Sequence, residues 1–249
     1  MDTNSNLRGA AAAVIGARHA RAARNGQDAA AVWTAGAVGA AVVCDGCGSS
    51  GSSEVGARLG AQLVLGAIQR RLIAGETAVD AAWWTGVRDE VTSTLAQIAS
   101  TLPGALPDVV HELLLFTAIA AVMVGDRAYV WAVGDGAYAI DGAGCELGPF
   151  ADNQPPYLAY DLLGNPPAAH LASESGVHSV MVATDGVGEV GLGRFTPDTL
   201  VRHPDALRRQ LAVLARSEER IDWAAQRVMR EPALLQDDGA VALLVRGAS

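Results

Sequence analysis

The chain has 249 residues, 50% of them hydrophobic and 18% charged, with a formal net charge of −9. That composition supports a substantial buried core and excludes a globally disordered chain. The acidic balance argues against nucleic acid or an anionic membrane as the main partner.

Taken in chain order, runs rich in Val and Ala and bounded by Gly, Asp or Asn predict strands over Ala11–Ile15, Asp28–Trp33 and Val38–Cys44. The short apolar run Ala10–Gly16 leads into Arg and His, so it reads as a first strand rather than a signal peptide. Ser52 or Ser53 is placed to cap a helix, with Glu54 in its first turn and Val55, Leu59 and Leu63 on one face. A second helix is expected over Thr77–Ser100, stopping before Pro103. The longest apolar stretch, Leu113–Gly125, is too short to span a bilayer and reads as a buried strand, Leu114–Val124. Strands over Ala128–Val133 and Ala137–Ile140 follow. Gly125-Asp126 and Gly134-Asp135-Gly136 read as hairpin turns between them, hence antiparallel pairing. Gly142–Pro156 and Asp161–Pro167 have the composition of loops. A strand over Ser179–Ala183, helices over Pro204–Ala215 and Glu218–Met229, and a last strand over Ala240–Val245 complete the chain. This order predicts an α+β fold of sheets covered by helices, in a single domain over 1–249 with its core at about 11–246.

Chemistry concentrates at acidic residues beside apolar strands. Val42-Val43-Cys44-Asp45-Gly46-Cys47-Gly48 and Val180-Met181-Val182-Ala183-Thr184-Asp185-Gly186 each end a strand on Asp-Gly. Gln236-Asp237-Asp238-Gly239 precedes one. Singly, each Asp-Gly is first a turn signal. Together, carboxylates held on rigid strands can converge, and converging carboxylates repel unless a cation joins them. Hard oxygen ligands of this kind suit Mg²⁺ or Mn²⁺.

As an ordered set these residues resemble the metal-dependent protein phosphatases, the type 2C serine/threonine phosphatases, in their bacterial branch. The match runs through Asp45 to Gly48 with the helix after it, Gly134-Asp135-Gly136, Thr184-Asp185-Gly186, and Asp237-Asp238-Gly239-Ala240 before the final strand. The resemblance implies a four-layer α/β/β/α sandwich of two antiparallel sheets flanked by helices. It implies two ions, Mn²⁺ or Mg²⁺, held by Asp45, the Gly46 carbonyl, Asp185 and Asp237, with Asp28 as a further metal residue. A metal-activated water would attack phosphoserine or phosphothreonine directly. The N-terminal motif departs from the usual pattern: Ala23 stands where relatives carry Arg, and Gln27 where they carry a metal-binding Glu. Gly16 to His19 followed by Gln27-Asp28-Ala29 is similar to a bacterial variant, which implies phosphate binding by His19 and by Arg21 or Arg24. Glu112 is the one acid near the family's third-metal position. The implied partners are a phosphorylated protein substrate, a kinase and its targets, in the cytoplasm.

Other residues have plainer readings. Cys44 and Cys47 read as small packing residues flanking Asp45, and three cysteines suit a reducing cytoplasm rather than a disulfide framework. Asp135 reads as a structural turn, and His111, His170, His178 and His203 as surface or loop residues. No Gly-x-Ser-x-Gly and no P-loop motif occurs, which tells against serine hydrolases and P-loop ATPases. A catalytically weakened phosphatase-like domain that binds a phosphorylated partner is the alternative, prompted by Gln27 and Ala23.

Overall fold

The computed structural model describes residues 6–247, so the outermost residues of the expected 1–249 domain lie outside it. Two five-stranded antiparallel sheets pack face to face between layers of helix. The first sheet has the order β2-β3-β4-β5-β8, with β2 at Ala29–Ala35, β3 at Val38–Gly46, β4 at Phe116–Val124, β5 at Arg127–Val133 and β8 at His170–Ser175. The second has the order β1-β12-β9-β6-β7, with β1 at Leu7–Val14, β6 at Gly136–Ile140, β7 at Ala143–Leu147, β9 at Ser179–Ala183 and β12 at Gly239–Arg246. Every pairing is antiparallel.

Burial explains which runs became strands. Every residue of β9 is buried, as are all but the last of β4 and of β12, because these central strands are covered on both faces. Between the sheets, Ala41, Val43, Ile119 and Ala121 meet Val180, Val182, Ala240 and Leu244, a seam of small and β-branched side chains. The outer face of the first sheet carries the long helices α2, Ser53–Ile73, and α3, Ala81–Thr101, through Ala57, Val64, Ile68 and the Trp84–Trp131 stack. The second sheet is covered more thinly by α5, Asp185–Val190, α6, Pro197–Leu200, and α7, Ala206–Leu214, through Val187, Leu200, Leu207 and Leu211. The expected four layers are therefore present.

Several expectations need correction. The segment expected as a helix over Glu218–Met229 is instead a hairpin, β10 at Glu218–Asp222 and β11 at Arg227–Glu231. The Asp222 carboxylate accepts from the Ala225 amide at 3.0 Å, Gln226 takes φ 50°, and Glu219 sits opposite Arg230, whose Nε donates to it at 2.7 Å. Turn chemistry and cross-strand charge pairing thus outweigh the helix-forming composition. Gly134-Asp135-Gly136 is not a hairpin turn: β5 and β6 lie in different sheets, and positive φ at Gly134 (101°) and Gly136 (127°) lets the chain turn from one to the other. Neither Ser52 nor Ser53 caps α2 through its side chain; the Ser53 hydroxyl donates to the Cys47 carbonyl at 2.8 Å instead. The α3 helix starts at Ala81, later than expected, because the Asp80 carboxylate accepts from the Trp83 amide at 2.8 Å and caps it. Strands β7 and β8 fall in or beside segments read as loops; they are exposed edge strands whose polar side chains hide the alternation.

Candidate metal centre

Antiparallel order brings the functional side chains to one rim. The ends of β1, β3, β5 and β9 lie beside the starts of β2, β4, β6 and β12, so residues at these junctions become neighbours however far apart in sequence. A cavity of about 470 Å³ opens there, with Asp28, Asp45, Asp135, Asp185, Asp237 and Asp238 in its lining, and His19 and Gly46 beside them. Among the described residues lining it there is no arginine.

Asp238 organises the N-terminal side. Its carboxylate is 3% exposed and accepts from the Gly16 amide at 2.8 Å and the Gln27 amide at 2.6 Å, and its Oδ2 lies 2.8 Å from His19 Nδ1. This holds the turn after β1 against the start of β12. The approach is so close that a Cβ on Gly16 would lie 2.0 Å from the Asp237 carbonyl oxygen, and one on Gly186 would lie 2.2 Å from that of Asp238. The Asp237-Asp238 peptide is wedged between two glycines. Thr184 ties the remaining pieces: its hydroxyl donates to Asp28 at 2.6 Å and accepts from the Ala240 amide at 2.9 Å.

The electrostatics are those of carboxylates lacking a counter-charge. Burial first, then the charges of Asp238 and Asp185, push Asp28 up to about 7. Burial, with Asp28 and Asp185 beside it, lifts Asp45 well above the usual carboxylate range. Asp135 rises to about 6 through burial and the Asp185 charge, and its Oδ1 is buried with no hydrogen-bond partner. Asp185 rises as well, chiefly through burial, although the Gly186 amide donates to it at 2.6 Å. Such a set fits hard divalent cations, whose binding would relieve the repulsion and satisfy the orphaned oxygen.

The expected residues Asp28, Asp45, Gly46, Asp185, Asp237 and His19 all reach this cavity. Arg24 does not line it. Its guanidinium donates to the Gly48 carbonyl at 3.4 Å on the exposed surface, over a separate recess with Asn25 and Glu54. Gln27 lines the cavity, but its amide nitrogen donates to Ser53 Oγ at 2.7 Å, binding β2 to the start of α2. Asp135, read as a turn residue, and Asp238, unassigned, also belong to the lining. The Gly-Asp-Gly corner and the second Asp of Asp237-Asp238 were the available signals. Cys44 is fully buried, as a packing residue should be, whereas Cys47 is part-exposed and lines the cavity. His111 lines its outer edge beside Leu115. His170 Nε2 instead meets the Tyr138 hydroxyl at 3.3 Å.

The sequence profile of Protein phosphatase 2C matches residues 15–230. The chain belongs to the protein phosphatase 2C family. No curated protein matches it significantly by sequence. Several solved phosphatase structures share its architecture. Serine/threonine phosphatase Stp1 from Staphylococcus aureus is 14% identical, with a TM-score of 0.61 over 100% of this chain and 98% of its own. PppA, a key regulatory component of T6SS in Pseudomonas aeruginosa, is 16% identical, with a TM-score of 0.57 over 98% and 99%. The catalytic domain of serine/threonine protein phosphatase PstP, solved in complex with 2 manganese ions, is 15% identical, with a TM-score of 0.54 over 98% and 99%. At such identities the likeness is one of fold, and in this phosphatase 2C chain the fold is what brings the acidic junctions to one rim.

Proposed function

We propose that this phosphatase 2C chain is a metal-dependent hydrolase of phosphoserine and phosphothreonine in proteins, working as one domain. The observation that carries the reading is the convergence of strand-end carboxylates on a cavity with no arginine to neutralise them. Asp45, Asp28, the Gly46 carbonyl, Asp185 and Asp237 would hold two Mn²⁺ or Mg²⁺ ions, and Asp135 is placed beside them. When bound, such cations lower the pKa of water and neutralise charge on phosphoryl oxygens during in-line displacement. The protein's own part is to fix the geometry. Asp238 holds the His19 ring through Nδ1, which leaves its Nε2 edge for a phosphate oxygen. Thr184 keeps Asp28 in place through the bond described above, and the Gly16–Gly186 wedge fixes Asp237 against Asp185. None of these groups is needed as a nucleophile.

The substrate is proposed to be a phosphorylated protein, with a kinase as its cellular counterpart, in the cytoplasm. Among the described residues no helix is long and apolar enough to cross a membrane. Hydrolysis of a phosphothreonine peptide with Mn²⁺, with Mg²⁺ and in EDTA tests the reading: turnover is expected only with metal. Equal rates in EDTA would overturn it.

A further inference from the structure

A phosphate monoester carries negative charge into a cavity already walled by aspartates. Bound cations neutralise part of it, but the phosphoryl oxygens still need hydrogen-bond donors from the protein. With no arginine in the lining, the side-chain hydrogen-bond donors there are His19, Gln27, Ser49, His111, Gln154, Tyr157 and Tyr160. Gln27 is committed to Ser53 at 2.7 Å. His19 is held by Asp238 on one side of the cavity.

Tyr157 also lines the cavity, with Pro155 and Tyr160. Its hydroxyl faces Cys47, and Asp45 and Asp135 are close enough for their charges to act on it. A phenol is protonated at neutral pH and can donate. The ring is also well fixed. It meets Tyr160 edge to face, with centroids 5.6 Å apart, and the next residues, Leu158 and Ala159, are fully buried. The short turn Leu158–Leu163 that follows is held by a fork from α3: Arg88 Nε and Nη2 donate to the two Asp161 oxygens at 2.7 and 2.6 Å, and Nη1 to the Pro167 carbonyl at 2.8 Å. A donor presented by a pinned ring reaches its acceptor with little ordering cost.

We propose that the Tyr157 hydroxyl donates a hydrogen bond to a phosphoryl oxygen of the substrate, filling in this chain the place of a phosphate-binding arginine. The assignment rests on the phosphatase reading for its substrate but is tested without turnover. Calorimetric titration of inorganic phosphate into the Mn²⁺-loaded protein compares wild type, Tyr157→Phe and Tyr129→Phe. Tyr157→Phe keeps the ring and removes only the donor. It is expected to bind phosphate about tenfold more weakly, the scale of one hydrogen bond to a charged group, with Mn²⁺ affinity and melting temperature unchanged. Its kcat/KM on a phosphothreonine peptide should fall by a similar factor, while Tyr129→Phe, on β5 outside the cavity, stays near wild type. Unchanged phosphate affinity in Tyr157→Phe overturns the assignment, as does a loss matched by an equal loss of Mn²⁺ affinity. A wild type that binds phosphate but hydrolyses no peptide overturns the phosphatase reading alone.

Discussion

Asp205 and Asp28 are the same residue type in opposite circumstances. Asp205 lies at the start of α7 on the surface, where Arg208 and Arg209 donate to it at 2.6 and 2.9 Å; those bonds hold its carboxyl down at about 2. Asp28 lies in the cavity, 8% exposed, and burial pushes it up to about 7. The surface carboxylate has its cations within the chain, in solvent that screens what they contribute. Asp28, Asp45, Asp135 and Asp185 have no arginine beside them among the described residues, and their charges become favourable only when cations arrive from outside. An acidic group that destabilises the metal-free fold is thus one that bound ions would use.

The sharpest way to break this contrast is to neutralise the cavity. Asp45→Asn and Asp185→Asn should each lower metal-dependent phosphopeptide hydrolysis by roughly a hundredfold or more, because each would remove a charged oxygen from the proposed metal shell. Steady-state assays at saturating Mn²⁺ check this, and wild-type rates in either variant would contradict it. Rigidity of the cavity comes next. Gly16→Ala or Gly186→Ala places a methyl against backbone at about 2 Å, and urea unfolding should show a loss of about 1–3 kcal/mol, the scale of overpacking.

The pH response sharpens the comparison further. Asp28 and Asp135 have raised values, so their contribution to the stability of the metal-free protein is fully present below the ordinary carboxylate pKa and is lost as pH rises through about 6 and about 7. Mn²⁺ should therefore raise the melting temperature more above neutrality than at about pH 5. A metal-induced shift that is equal at both ends would count against unpaired carboxylates in the cavity. The smallest effect is expected at the surface pair. Asp205 is held low, so its contribution is present above the ordinary carboxylate pKa and lost only as pH falls through about 2. Asp205→Ala should shift the melting temperature slightly at low salt and not at high salt.

Much of this was legible because the strands announce themselves. The buried runs around Val42, Ile119 and Val182 are continuous apolar stretches, and the Asp-Gly punctuation marks where they stop. Asp45, Asp185 and Asp237 could be picked from that punctuation. Asp135 could not, since a Gly-Asp-Gly between two apolar runs reads equally as a hairpin or as a step between sheets, and only the step turns its carboxylate into the cavity. The hairpin Glu218–Glu231 was hidden because Glu, Arg, Ala and Gln favour helix in isolation, while the pairing of Glu219 with Arg230 exists only across strands. Arg24 was misplaced for a related reason: adjacency in sequence to Gln27 and Asp28 does not carry a side chain into the cavity once the turn before β2 points it outward.

By itself, then, the sequence determined which segments had to be buried and which residues could serve as hard oxygen ligands, since apolar runs and carboxylates keep those properties in any fold. Tertiary structure decided which of those carboxylates share one cavity and which other side chains line it. That is a matter of strand order and of backbones approaching to within the width of a glycine, and pairings between residues as distant as Gly16 and Asp238 are written in no local pattern.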